Sequence, residues 1–558
     1  MDWNCSLPLE KVSERVLYHQ DVHSFDEYTS FDLSLLEAPQ NAQRIFVIQP
    51  SSIGDVLYLT PSLTLLRSQY PNAWIGYLVE DDAESAIHGG IPDQLFVAHK
   101  NRWINSSKEE ATTEINQFLS EINSASADLV INTHATARSA WYATAARGSG
   151  APVLGIHFNQ NSLPALSGNP FHYRWFTNLT QEESIKPPEG ITPTLNALGD
   201  LSRRTGTGRL ISGISLNIDE ETRTAAHKDL ELAGIDISEP YACLHTGCKW
   251  EDRRYTAEKW PEVCEGLVES WNLQLVFIGG PNDREPQDII CNKLSVPAAN
   301  LSGKGNLSYS AAILEKCSVL VSADTATVHL AASVLCPTVT VSGPKWVGAY
   351  APKSYTLYGD DLKTWRTQIT PEMMIAGAGV VLGQSAPPSL SDGLHESWTG
   401  DKYPTEFIRQ RFPFLMRKGQ DYVNTVLSYC WENIFSVVNE SWKYPAARIS
   451  VDEAVNWLGQ PDSTTKDLIG KKIKDLKNWE KDLDTLISLA KGNASSGKTD
   501  LSKSYQAVMK GFWPEFFQPL NLHRSAIQNP NSPITDVFDL YKSSADMTRS
   551  FLDSILDS

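Results

Sequence analysis

With 558 residues, 41% of them hydrophobic and 20% charged, the chain has an ordinary globular composition and is too long for one core, so roughly three to four domains are expected. Its formal charge of −18 disfavours a nucleic-acid binder, which needs clustered Lys and Arg, and also disfavours general attraction to anionic membrane surfaces. No apolar run reaches the roughly 18 residues of a membrane span, and the opening MDWNCSLPLEKVSERV lacks the basic start and apolar core of a secretory signal. Cys5, Cys243, Cys248, Cys264, Cys291, Cys317, Cys336 and Cys430 form no CxxC pair. That spacing fits reduced, mostly buried thiols in a cytoplasmic protein, not a disulfide framework or a zinc site.

Residues 1–43 read as a polar extension with short helices at most. From Arg44 a regular alternation begins. RIFVIQ reads as a buried strand, DVLYLTPSLTLLRSQYP as an amphipathic helix, and WIGYLVE and QLFVAH as further strands. KEEATTEINQFLSEINSA then reads as a helix, ADLVINTH as a strand and RSAWYATAARGS as a helix. An irregular Gly- and Pro-bearing stretch follows from Gly150 to Pro193, then helical segments to about Ile237. The alternation restarts at YACLHTG and continues through EKWPEVCEGLVESW, LQLVFIGG, REPQDIICNKL, LSYSAAILEKC, SVLVSAD, TATVHLAASVL and PTVTVSG. Short apolar strands between helices predict parallel sheets covered on both faces. Two runs predict two doubly wound α/β domains, 44–237 and 238–384, facing across a cleft, with ligands at the carboxyl ends of the strands.

Past about Leu382, GQSAPPSLSDG reads as a linker and 385–558 as a mainly helical region of unknown role. Within it Ile469, Ile473, Leu476, Trp479, Leu483 and Leu486 recur at spacings of three and four. This is one apolar helical stripe, which either packs within its own chain or joins a second copy.

Four places at strand ends carry groups suited to chemistry: SSIGD (51–55), HTGCKWEDRRY (245–255), Gly279-Gly280-Pro281, and ADTATVHLAA (323–332). In the second and fourth, backbone N–H groups at helix starts suit phosphate oxygens, and Lys249, Arg253 and Arg254 add charge-assisted hydrogen bonds to a diphosphate. Each has a plain structural reading beside the functional one. Asp55 and Asp324-Thr325 are good helix caps, His329 suits a packed position, and Arg253-Arg254 suits a solvated pair. There is no GxxxxGK[ST] loop, GxGxxG, HExxH or G-x-S-x-G elbow, which lowers the case for a P-loop phosphotransferase, a nicotinamide enzyme, a zinc hydrolase or a serine acyl transferase. No metal-ligand cluster is expected.

In this order the motifs resemble glycosyltransferase family nine, the ADP-heptose:lipopolysaccharide heptosyltransferases, over about Arg44 to Leu382. The resemblance is carried by SSIGDVLYLTPSL, DLVINTHATARSA, HTGCKWEDRRYTAEKWPEV, GGPNDRE, NLSGKGNLSYSAAILEKCSVLVSADTATVHLAAS and VSGPKWVGAYAP. It implies a GT-B fold of two Rossmann-like domains, with the acceptor in the first and a nucleotide-sugar in the second. It also implies inversion at the anomeric carbon without an essential metal or other cofactor, ADP-heptose being the favoured donor.

By the same resemblance Asp55 matches the catalytic base. Thr246, Gly247, Lys249, Arg253, Arg254, Gly280, Asp324, Thr325, Ala326 and His329 fall on the donor side, and Ser52, Gly54, His134 and Arg138 on the acceptor side. Arg253 stands where the family has a Lys, and Ala326 where it has a glycine. A helix-start position is expected to hold the Asp55 carboxyl low through the dipole. The acceptor stays open between a glycan, a protein and a small molecule, and a homo-oligomer through the helical region is a further expectation. A non-catalytic nucleotide-sugar binding or scaffold protein of the same shape, and an epimerase of that shape, are the alternatives.

Overall fold

The computed structural model describes residues 30–32, 42–87, 91–134, 136–148, 150–158, 164–167, 214–248, 251–343, 353–359, 361, 363–388, 390, 394–398, 422–423, 426–427, 430, 450–458, 460–491, 506–508 and 534–558. The first unit is a seven-stranded sheet. Its strands are β1 (Ser30–Asp32), β2 (Arg44–Ile48), β3 (Trp74–Glu80), β4 (Gln94–Ala98), β5 (Leu129–Asn132), β6 (Val153–Phe158) and β7 (Pro164–Ser167), in the order β1-β7-β6-β5-β2-β3-β4. All pairings are parallel except β6 with β7. Helices α1 (Ile53–Gln69), α2 (Lys108–Ser124) and α3 (Ala137–Ala146) cover it.

The sequence accounts for these elements. β2 is RIFVI, apolar after its first residue and buried at four of five positions, as a strand sandwiched between helix layers must be. α2 opens with Ser107, whose backbone N–H and hydroxyl both donate to Glu110, and it buries Ala111, Ile115, Phe118, Leu119 and Ile122 on one face. Ser30–Asp32 falls within the extension expected to hold only short helices, yet it is an edge strand beside β7. Three residues are too few for a periodic signal.

After α4 (Glu220–Leu232) the second sheet comprises β8 (Tyr241–His245), β9 (Gln274–Phe277), β10 (Ala298–Asn300), β11 (Val319–Ala323), β12 (Thr338–Ser342), β13 (Ser354–Gly359) and β14 (Leu394–Trp398). Their order is β10-β9-β8-β11-β12-β13-β14, parallel until the final antiparallel pair. Helices α5 (Trp260–Trp271), α6 (Arg284–Cys291), α7 (Leu307–Leu314), α8 (Ala326–Ser333) and α9 (Pro371–Val381) pack on it. Because β14 pairs with β13, this sheet runs past residue 384 into the stretch read as linker and helical region. The architecture is two Rossmann-like sheets, the GT-B arrangement.

In each sheet the chain first winds one way and then the other. β2 lies between β3 and β5, and β8 between β9 and β11. The loops after β2 and β5, and those after β8 and β11, therefore diverge from neighbouring strands and leave crevices at two topological switch points. The halves join through one continuous apolar cluster that includes Val56 and Leu59 of α1 and Val328 and Leu330 of α8.

The C-terminal region is built on α10 (Ser463–Lys491) and α11 (Ile534–Asp557). All six residues of the apolar stripe on α10 are buried in a cluster with Tyr541, Ala545, Leu552 and Ile555 of α11. The Trp479 indole N–H donates to the Val508 carbonyl at 2.8 Å, and Arg549 pairs with Glu480 at 3.1 Å. The stripe is thus occupied within its own chain, which removes the feature that pointed to an oligomerisation helix. No disulfide joins any two of the seven described cysteines, and all but Cys291 are buried. Among the described residues no helix is long and apolar enough to cross a membrane.

Leu476→Ala is expected to destabilise the C-terminal unit by about 2–5 kcal/mol, read by denaturant unfolding, without changing the molecular mass measured by light scattering. A fall in mass on substitution would instead assign the stripe to an interface between copies.

Candidate active site

One wall of the cleft is the turn between β2 and α1. Ser52, in extended conformation, precedes the helix, and Asp55 is its third residue. Asp55 Oδ2 accepts the Ser52 N–H and the Ser52 hydroxyl, each at 3.3 Å. Both contacts are long for a charged acceptor, whose N–H bonds run at about 2.7–2.9 Å. Among the described residues none donates to Oδ1. Asp55 therefore caps its helix loosely and keeps one oxygen for another partner.

Its electrostatics differ from the expectation of a low carboxyl. Burial raises the Asp55 carboxyl above its ordinary value, against the opposing pull of His134, the Ser52 hydrogen bonds and Arg253. The helix dipole was visible in the sequence. Beneath the turn, Tyr77 on β3 is fully buried, and its hydroxyl, which no described residue meets, is held protonated by burial and by Asp55.

His134 follows β5, the strand next to β2. Its N–H donates to Asn132 Oδ1 at 3.1 Å, and its carbonyl accepts the Ser139 hydroxyl at 2.7 Å. Arg138 turns inward instead. It pairs with Glu80 at 2.9 Å, and Lys100 lies 3.3 Å from the same carboxylate. With both Arg138 and Glu80 buried, this is an internal ion pair at the strand ends.

The opposite wall is built at the ends of β8, β9 and β11, with Asp283 at its centre. Its carboxylate accepts the Gly280 N–H at 2.8 Å and lies 3.4 Å from His245 Nε2. His245 Nδ1 is 3.1 Å from the Thr325 hydroxyl, which also accepts the Thr327 N–H at 3.3 Å and so caps α8. An ionised Asp283 accepts a hydrogen bond from Nε2–H, leaving Nδ1 to accept from Thr325. Burial pushes the Asp283 carboxyl up, but His245, Gly280 and Arg254 outweigh it and hold it below its ordinary value. A Cβ on Gly247 would stand 2.0 Å from Asp283 Oδ1, so only glycine admits the carboxylate there.

Arg253 lies 3.4 Å from Asp324, and its charge also reaches Asp55 in the other half. The Arg254 side chain is turned to the Cys248 carbonyl at 2.7 Å. Ala326 is the first residue of an ordinary α-helix, so no glycine-only conformation is required at that position. Thr246 lies in the turn after β8, and Lys249 and Trp250 lie outside the described residues. No described group of three or more His, Cys, Asp or Glu side chains is arranged to hold a metal ion.

The walls touch. A Cβ on Gly54 would lie 2.8 Å from His329 Cδ2 and 3.7 Å from the Ala326 Cα. The first turns of α1 and α8 are therefore in contact through a glycine, with the His329 ring over it. Burial brings the His329 imidazole down to about 4, so the ring is neutral where the halves meet.

The structure brings Asp55, Arg253, Asp324, Thr325 and His329, all singled out in the sequence, to the cleft, together with His245, Asp283 and Tyr77, which were not singled out. His245 and Asp283 sit in motifs already quoted, at a strand end and one turn after a Gly-Gly, positions that a switch-point argument singles out. Tyr77, inside an apolar strand, gave no signal.

Gly54→Val is expected to push the His329 ring away and weaken the contact between the halves by about 1–3 kcal/mol, with His329→Ala restoring part of the loss. A double-mutant cycle on unfolding free energy measures this, and strict additivity would deny the contact.

Comparison with known proteins agrees with the motifs. Residues 212–366 match the family described as Glycosyltransferase family 9 (heptosyltransferase). A curated relative, lipopolysaccharide heptosyltransferase 1 of Pseudomonas aeruginosa, is 24% identical over 336 residues, covering 57% of this chain and 84% of the relative. Among solved structures, a family 9 glycosyl transferase from Veillonella parvula is 23% identical with a TM-score of 0.49, covering 62% of this chain and 98% of its own. E. coli ADP-heptose LPS heptosyltransferase II is 15% identical with a TM-score of 0.45, covering 61% and 99%. The chain is thus similar over more than half its length to the heptosyltransferases of glycosyltransferase family nine, and it matches that family's own signature across residues 212–366.

Proposed function

We propose that the protein is an inverting glycosyltransferase that moves a heptose from a nucleoside diphosphate, with ADP favoured, to an acceptor hydroxyl. The observation that carries this reading is the juxtaposition at the cleft. A carboxylate with a free oxygen and a raised pKa stands in one half, within the field of an arginine and beside a helix start in the other. The heptose rests on the heptosyltransferase relative and family match, and the acceptor is left as a hydroxyl compound.

In this reading the acceptor oxygen attacks C1 of the sugar from the Asp55 side, and Asp55 Oδ1 takes its proton. The C1–O bond to the diphosphate breaks on the opposite face, which inverts the configuration. Charge gathering on the leaving phosphate is met by Arg253, which exchanges Asp324 for the diphosphate, and by backbone N–H groups at the start of α8. The reading routes no step through a metal. Thr325, fixed by His245 and Asp283, keeps the helix start in place, and neutral His329 offers a hydrogen bond without adding charge.

Asp55→Asn is expected to lower transfer about 100-fold or more while leaving the thermal shift produced by the nucleoside diphosphate intact. Full activity in a folded variant would remove Asp55 from the mechanism. Only the ionised carboxylate can accept a proton, so kcat/KM rises with pH through the Asp55 pKa. The acid limb is therefore expected above the ordinary carboxylate range, and a limb at or below it would contradict the assignment.

Arg253→Ala is expected to reduce kcat/KM by roughly 100-fold, with Arg253→Lys recovering part of it. Release of nucleoside diphosphate only in the presence of acceptor separates transfer from non-catalytic binding of the donor.

A further inference from the structure

Gln49 is the first residue after β2 and is almost wholly buried, although nothing in its motif singled it out. Its side-chain Nε2 donates to the Ser51 carbonyl at 2.6 Å, and its Oε1 accepts the Thr133 hydroxyl at 2.6 Å. A carbonyl can only accept, so the NH2 group must face Ser51 and the amide orientation is fixed. That same NH2 lies 3.3 Å from His134 Nδ1. A donor-only group at Nδ1 requires an unprotonated nitrogen there, because a proton on Nδ1 would set two N–H groups against each other. The neutral ring must then carry its proton on Nε2, which points away from Gln49.

The backbone of His134 is held as firmly as its ring. Asn132 Oδ1 accepts its N–H, and Ser139, itself buried and hydrogen-bonded to Asn132, donates to its carbonyl. The strands beneath place the two loops side by side, since Ile48 of β2 is in register with Asn132 of β5. A positive charge on His134 would lower the Asp55 carboxyl, so the two side chains lie within each other's electrostatic reach. A histidine that merely fills space needs none of these restraints.

We propose that Gln49 and His134 form a positioning pair for Asp55, in which Gln49 fixes the His134 tautomer so that Nε2–H is presented to the Asp55 carboxylate and aims its free oxygen at the acceptor. The tautomer follows from the structure alone, while its role in aiming Asp55 rests on the transferase reading above. Gln49 acts through His134, and His134 through Asp55.

The test uses the full chain labelled with imidazole-15N histidine, with the His134 signals assigned by their loss in His134→Gln. At mildly alkaline pH, where free histidine is neutral, wild-type His134 is expected to show one tautomer with its proton on Nε2. Gln49→Met keeps the length of the side chain and removes its amide hydrogens, and is expected to give a mixture of tautomers. A wild-type ring protonated on Nδ1, or an Nε2–H form that persists unmixed in Gln49→Met, would overturn the pairing. If Gln49→Met does not fold, the wild-type spectrum alone still decides, because it needs only the His134→Gln control.

In the transfer assay Gln49→Met is expected to lower kcat roughly tenfold or more at unchanged donor KM, as a histidine in the wrong tautomer does in a triad. An unchanged kcat with mixed tautomers would overturn the positioning role. Absence of transfer in a wild type whose Nε2–H tautomer is intact would count against the transferase reading and leave the pairing standing.

Discussion

The first turns of α1 and α8 meet because residue 54 has no side chain. Two helix N-termini brought together concentrate unpaired N–H groups and the positive ends of two dipoles in one place, an arrangement that carries a cost unless anions lie nearby. The chain supplies Asp55 from one side and Asp324 from the other, with Arg253 paired to Asp324 and within electrostatic reach of Asp55. The His329 ring over Gly54, and the reach of the Arg253 charge to Asp55, are properties of that contact between halves.

Much of the frame was legible in the sequence. From Arg44 to about Leu382 the apolar runs and their spacing marked most of the strands and helices in order, and the two runs of the pattern marked two sheets. The stretch from Gly150, read as irregular, holds the paired strands β6 (VLGIHF), whose period is broken by its glycine and histidine, and β7 (PALS). The other strands that escaped notice were short or half polar. AAN at β10 is too brief to show a period, SYTLYG alternates weakly, and LHESW at β14 carries a histidine and a glutamate. Their neighbours in the sheet stabilise them, and a local reading has no access to those.

The site was legible as a list of positions and not as an arrangement. Asp55 and Thr325 were seen as capping residues, and both do cap. The sequence could not tell that burial would outweigh the dipole at Asp55, since burial depends on tertiary packing that local pattern does not carry. Arg138 was placed on the acceptor side by resemblance, and Glu80 engages it. Ala326, standing where the family has a glycine, is an ordinary helical residue. In each case the deciding fact was which other group occupied the space, and such pairings depend on register across strands.

The antiparallel strand β14 has a practical bearing on how the protein is divided. It comes from beyond the apparent linker, yet it forms the outer margin of the second sheet, and Glu396 on it accepts the Tyr355 hydroxyl of β13. A fragment cut at residue 384 to isolate the two Rossmann-like units would strip that margin. The ladder of β13 would then be open to pairing with another copy, and the Tyr355 hydroxyl would lose its carboxylate. Insoluble material from such a fragment would report a missing strand, and would carry no information about whether the helical region takes part in catalysis.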